Sequence, residues 1–463
     1  MSTEAFISAR LPSVNNTTSL PSESPALANQ PGTHASSMDV DAHMHEPEAS
    51  AVVNIQPDWY LVLREEEGKA WITVKERGQL GIHGYLLSQG ESNEGGTYNV
   101  DADEDEFHIE RVTRKSLELS HSKISAAKLI FKIIRPEKVF KGIHKKNIAS
   151  LDVSSGGLGV SAGDDGSSLF VWETSKGVVR RNLEGHFGDI YNCKLFPSGV
   201  VVLSSGSDMR IKIWSAEDGS CPVTLTGHSA PVTDTAIVDK GMNIVSTSKD
   251  GTVRIWSCGK GKCLEPSIRI DDVINCCAIS SIKEQCGFDM SISSDDNIDR
   301  QDEVGLDDKI LAVGGENGNI AILNLKARSI LARCQLPGKN VAVNAITFVD
   351  PLNLLLVGCE NGEILCFSLP NLNEVFWKLH DSDSSIMSLL GLPRLNGFVA
   401  GKLDGTCFFY CLTSDAKLSS NSKVLLSGAD ADPVNAIKCD GNYIYTGARD
   451  GQIRKYDIMD IHN

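Results

Sequence analysis

His186 is followed by Ser204 and Asp208, and His228 by Ser246 and Asp250. Each trio has a tryptophan behind it, Trp214 and Trp256. A histidine bonded to a serine on one side and an aspartate on the other is the arrangement that activates a serine nucleophile. It is also what a buried structural histidine needs, because a polar group out of water must find partners. The recurrence decides between the two. A catalytic set is built once, whereas this one repeats at an interval of about 42 residues, a period typical of repeat architectures. His186, Asp208 and Trp214, with His228, Asp250 and Trp256, are therefore expected to be structural.

Other chemistry is not encoded in a recognisable form. The chain has no Gly-x-x-x-x-Gly-Lys-Ser/Thr phosphate loop, no Gly-x-Ser-x-Gly elbow and no His-Glu-x-x-His zinc pair. "GGLGVSAGDDG" is glycine-rich but reads as a hairpin. None of the 13 cysteines precedes Cys193 and none forms a Cys-x-x-Cys pair. Most lie inside apolar alternations, as reduced core residues do. We expect no enzyme, no catalytic residue, no metal and no cofactor.

The elements that must position these residues are short strands. "TGHSAPVTDTAIVDKGMNIVSTSKDGTVRIWS" holds apolar alternations, a turn at Lys-Asp-Gly and a closing Ile-Trp. Gly-His early and Trp late, with Trp172, Trp214 and Trp256 evenly spaced, is the signature of WD-repeat propeller blades. Each blade is a four-stranded sheet whose apolar faces are covered by its neighbours. The turn between second and third strands recurs at Asp165-Gly166, Asp208-Met209, Asp250-Gly251, Asn317-Gly318, Asn361-Gly362, Asp404-Gly405 and Asp450-Gly451. Seven turns imply seven blades of an all-β propeller. The last blade ends at its third strand, near Tyr456-Asp457, so its outer strand must come from elsewhere. "EKVFKGIH" has the pattern of an outer strand leading into the next blade, and Glu137 to Gly142 is expected to close the ring.

We divide the chain into a disordered tail at 1–56, a small mostly-β domain at 57–135 and the propeller at 136–463. An acidic loop insertion at about 281–308 enters blade four. The tail has one basic residue, Arg10, and does not read as a transit peptide. No apolar run is long enough to span a membrane, which with reduced cysteines suggests a cytoplasmic and nuclear protein. The net charge of -16 argues against nucleic acid, whose phosphates demand a basic surface.

By propeller geometry the loops entering each blade converge with the second-to-third-strand turns on one face. Their acids are Asp164, Asp189, Asp271, Asp272, Glu316, Glu360, Asp381, Asp383, Asp430 and Asp432, with Lys249 and Arg449 as exceptions. Converging like charges cost stability unless a partner compensates them. This rim is the candidate partner-binding surface.

"LEGHFGDIYNCKLFPSGVVVLSSGSDMRIKIWSAEDGSC" and "GHSAPVTDTAIVDKGMNIVSTSKDGTVRIW" resemble the proteasomal ATPase-associated factor family. "DWYLVLREEEGKAW" is similar to that family's N-terminal part and "YTGARDGQIRKYD" to its end. The likeness covers about Pro57 to Asp457 and not the tail, which is longer than the family pattern. It implies a non-enzymatic regulator that chaperones assembly of the proteasome regulatory particle, and we expect the free chain to be a monomer. Such proteins bind ATPase subunits of the particle's base through the subunits' C-terminal domains. The rival reading is a substrate receptor of a cullin-type ubiquitin ligase, but no Arg stands three residues after Trp172, Trp214 or Trp256. A third, a hydrolytic propeller, lacks a nucleophile or metal set.

Overall fold

The computed structural model describes residues 51–91, 98–103, 106–124, 129–164, 166–281, 288, 290, 301–336, 340–419 and 422–462. Seven antiparallel blades form a propeller. The first is Ile148–Val153, Leu158–Gly163, Leu169–Glu173 and Val179–Asn182, paired in chain order. Middle strands are buried along their whole length, as in Lys309–Gly315 and Leu354–Cys359. A sheet sandwiched between two others hides both faces, which is why "ILAVGG" and "LLLVGC" are continuously apolar. The outer strand Val179–Asn182, by contrast, is exposed throughout.

Side chains of the innermost strands stitch each blade to the next around a central channel. The Cys193 N–H donates to Ser150 Oγ at 3.0 Å, Thr235 Oγ1 to Asn192 Oδ1 at 2.7 Å and Thr233 Oγ1 to the Ile274 carbonyl at 2.8 Å. Asn275 donates to the Val343 carbonyl at 3.3 Å, Asn344 to Ser385 Oγ at 2.9 Å and Ser388 to the Val434 carbonyl at 2.9 Å. Asn435 completes the circle by donating to the Ile148 carbonyl of blade one at 3.0 Å.

The segment before the propeller contains β1 (Ala51–Ile55), α1 (Trp59–Val62), β2 (Lys69–Glu76), β3 (Ile82–Glu91), β4 (Tyr98–Ala102), β5 (Phe107–Val112), β6 (Ser116–His121), β7 (Ile130–Ile134) and β8 (Lys138–Phe140). β8 is the closing strand. It pairs antiparallel with Ile453–Asp457, Phe140 opposite Ile453, and supplies the fourth strand of blade seven.

Two boundaries differ from the sequence reading. Ala51–Ile55 is a buried strand, so the part of the 1–56 tail after Ser50 belongs to the fold; residues 1–50 lie outside the described residues. Residues 57–135 do not stand apart. β7 pairs in parallel with Ser422–Leu426, the outer strand of blade six, and extends that blade to seven strands ending at β6 and β5. β1 to β4 form their own four-stranded sheet, but Val53, Trp59, Ile72 and Phe131 share one core with Trp377, Phe398 and Tyr410 of blades five and six. A parallel partner distant in sequence leaves no local turn signal, and so the junction read as a domain boundary.

Most of the acidic insertion lies outside the described residues. Its end, 301–308, packs down. Leu306 is buried, Glu303 pairs with Lys326 at 3.5 Å and Arg328 at 2.6 Å, and the Asp302 carbonyl accepts from Asn243 at 3.0 Å.

Candidate partner-binding face

Both histidine sets are assembled. His186 Nδ1 lies 2.8 Å from Asp208 Oδ2 and its Nε2 2.7 Å from Ser204 Oγ, which accepts from Trp214 Nε1 at 2.8 Å. His228, Asp250, Ser246 and Trp256 reproduce these distances in blade three. The two imidazoles are 1% exposed, out of a substrate's reach. Burial lowers the pKa of each below the ordinary histidine value and keeps the ring neutral. Burial alone would raise the Asp250 carboxyl. Donors from Thr252, the Ser229 N–H and His228 outweigh it and bring the pKa down to about 2. The fully bonded serine holds three elements in register.

Other blades solve the same problem differently. In blade one His144 Nε2 bonds Ser161 Oγ at 2.7 Å, a pairing foreshadowed by "GIH" but not recognised in the sequence. Trp172 does not join it. Opposite it stands Gly159, where blade two has Val202, and the indole fills the space of the missing side chain, 5.3 Å from Phe140. In blade seven Arg454 replaces the histidine as the partner of Asp450.

The rim acids separate into three groups. Asp272 and Asp381 are buried, which removes them from the expected binding surface. The Asp272 carboxylate accepts from the Asn317 N–H, Asn317 Nδ2 at 2.8 Å and Asn319 Nδ2 at 2.9 Å, tying the blade-four entry loop to its turn. Asp381 binds the ammonium groups of Lys402 and Lys423 and accepts from Tyr410 Oη at 2.7 Å. Burial opposes its charge, but those two cations hold its carboxyl well below the usual range. A second group is surface-paired: Asp271 with Arg333 at 3.4 Å, Asp432 with Arg449 at 3.0 Å, and Asp383 with Arg77 at 3.1 Å. Asp164 also has a partner, accepting from Asn147 Nδ2 at 2.9 Å. Glu316, Glu360 and Asp430 are exposed and Asp189 half-buried, and none makes an ion pair with a described residue.

The model for the "WD domain, G-beta repeat" family matches residues 177–215, 219–257 and 425–457. The chain is 40% identical over 415 residues to proteasomal ATPase-associated factor 1 of Gallus gallus, covering 89% of this chain and 100% of that one. It is 39% identical to proteasomal ATPase-associated factor 1 of Homo sapiens, covering 89% and 100%. A probable proteasomal ATPase-associated factor 1 of Dictyostelium discoideum is 36% identical over 88% of this chain and 96% of its own. The chain belongs to the proteasomal ATPase-associated factor 1 family.

In this family member the entry face is less uniformly acidic than its list of aspartates suggests. The blade-one entry loop brings exposed Lys145 and Lys146 to the rim. Lys145 and Lys146 lie just past the closing-strand segment 137–142, where no repeat motif marks them. Blade two adds Phe187, 75% exposed, and Met209, 41% exposed. Arg210 stacks its guanidinium 5.5 Å from the Phe187 ring. "HFGD" and "SDMR" contained this group, but counting charges passed over it. Exposed acids without an ion pair to a described residue thus stand on blades four, five and seven, whereas blade two presents Phe187, Met209 and Arg210 beside the half-buried Asp189.

Proposed function

We propose that this chain is a non-enzymatic assembly chaperone of the proteasome regulatory particle, binding the C-terminal domain of an ATPase subunit of its base. The reading rests on the relatives, which carry proteasomal ATPase association in their name and align over nearly the whole chain. The observation that carries the surface is the trio Glu316, Glu360 and Asp430, exposed, without an ion pair to a described residue, and set in the turns and entry loops of blades four, five and seven. Asp164, Asp189, Asp271, Asp383 and Asp432 add carboxylates on the other entry loops and turns. A basic partner surface would be steered toward such a rim, and charge steering acts mainly on the association rate and fades with salt.

The test is association kinetics between purified proteasomal ATPase C-terminal domains and the full chain, at low and moderate salt. Glu316→Lys with Glu360→Lys is expected to slow association about tenfold at low salt, with a smaller deficit at moderate salt. Wild-type kinetics at both salts, in a variant with unchanged melting, would remove the rim from the interface. Wild-type protein that binds none of the domains would remove the function.

A further inference from the structure

We propose that Phe187 and Met209 form a hydrophobic anchor on the entry face, receiving an apolar side chain of the bound protein that has a carboxylate beside it.

Backbone conformation supplies the first observation. Met209 has φ 61, in the left-handed region, at a turn position occupied in the other blades by Gly166, Gly251, Gly318, Gly362, Gly405 and Gly451, all with φ between 73 and 89. A side chain there strains the backbone, and persistent strain of this kind gathers at functional sites. The fold gains little from this one, since the methionine is displayed rather than buried. Methionine is adaptable and common on protein-binding surfaces.

Blade three supplies an internal control. It has the same relay, with Ser229 where blade two has Phe187 and Gly251 where blade two has Met209. The relay therefore requires neither apolar residue. What it does is hold them. The Asp208 carboxylate accepts from His186 and also from the backbone N–H groups of Phe187 and Arg210, each at 3.2 Å. The buried histidine thus fixes the loop that presents the phenyl ring and the turn that presents the methionine. A surface ordered before binding loses less entropy on binding.

Charge selects the occupant. Arg210 lies against the Phe187 ring and exposed Lys249 stands on the turn of the neighbouring blade, two cations against one half-buried carboxylate on this loop, Asp189. An apolar side chain docking on this loop and turn is therefore favoured when a carboxylate follows it toward Arg210. A cation there would meet like charge. Aromatic anchors flanked by Arg are frequent hot spots.

The inference rests on the reading of this chain as a binder of proteasomal ATPases, and it makes the face two-poled. Basic groups of the partner lie toward Glu316 and Glu360, and an apolar-acidic element lies over blade two. The test transplants the blade-three residues, Phe187→Ser with Met209→Gly, into the full chain. Melting should be unchanged or higher, because the strain at position 209 is relieved, while affinity for the ATPase C-terminal domain falls roughly tenfold or more. If Glu316→Lys with Glu360→Lys weakens binding and the transplant does not, the anchor is overturned and the functional reading stands. If the wild type binds no ATPase domain, the functional reading fails, and short peptides selected from a random library against the full chain decide the anchor. Selected peptides that carry an apolar-acidic pair and lose the transplant variant support it. Peptides that bind wild type and transplant equally overturn it.

Discussion

Phe140 lies opposite Ile453 in an antiparallel pair, so the strand that precedes blade one completes blade seven. The Phe140 ring is buried and packs on Trp172, bringing the closing strand and the first blade into one cluster with Tyr445. Phe140→Ala is expected to destabilise the propeller by about 3–5 kcal/mol, the usual cost of emptying a buried phenylalanine site. Denaturant unfolding checks it. A midpoint within error of wild type would mean that the ring does not depend on this strand.

The two relays make stability fall with acid in a defined way. His228 has a folded-state pKa below its ordinary 6.5 because burial disfavours the charged ring. The unfolded chain therefore binds a proton that the native state refuses. Stability contributed by the neutral ring is present above about pH 6.5 and declines as pH falls below it. His228→Gln should remove this part of the slope, at a general cost of about 1–3 kcal/mol from the disturbed serine and aspartate. Melting curves between neutral and mildly acidic pH measure both. An unchanged slope in the variant would show that His228 is not the titrating group.

Asp381 and Asp383 are two residues apart and should behave as opposites. Asp381 neutralises two buried ammonium groups, and Lys423 also donates to the Ala51 carbonyl at 2.9 Å. Asp381→Asn leaves those cations without a counter-charge and is expected to cost about 3–5 kcal/mol. The Asp383 side chain is 77% exposed, and Asp383→Asn should cost under about 1 kcal/mol. Equal melting of the two variants would contradict the buried network.

The same pair shows where sequence reading stops. Blade number, turn positions and closure were legible because each rests on a local pattern repeated at one period: Asp or Asn before Gly, alternation, Gly-His and Trp. Burial of a loop acid depends on what approaches it from a distant segment. Lys402, Lys423 and Tyr410 come from three different strands of blade six, and no motif links them to Asp381. Asp272 and Asp381 are accordingly not recognisable as interior from the sequence. Phe187 and Met209 were invisible for another reason. Phe187 sits at a position the repeat leaves free and Met209 at one it otherwise gives to glycine, and their meaning emerges only when both are seen to flank the Asp208 carboxylate.

The N-terminal segment is expected to unfold together with the propeller. Trp59 is buried, and its Nε1 donates to Ser427 Oγ at 3.0 Å, whose hydroxyl in turn donates to the Ile134 carbonyl at 3.0 Å. Tyr456 Oη reaches the Ser427 carbonyl at 2.7 Å, so one serine at the blade-six-to-seven passage ties α1, β7 and the last strand of the ring together. With β7 hydrogen-bonded to the outer strand of blade six, little is left that could open separately. Calorimetry of the full chain should show no separate transition for the N-terminal segment. Trp59→Ala should move the unfolding of blade six down with it, by about 3–5 kcal/mol, because the indole fills a core common to both parts. Two resolved transitions, with only the smaller one shifted by the substitution, would show instead that residues 51–134 are an independent domain resting on the propeller.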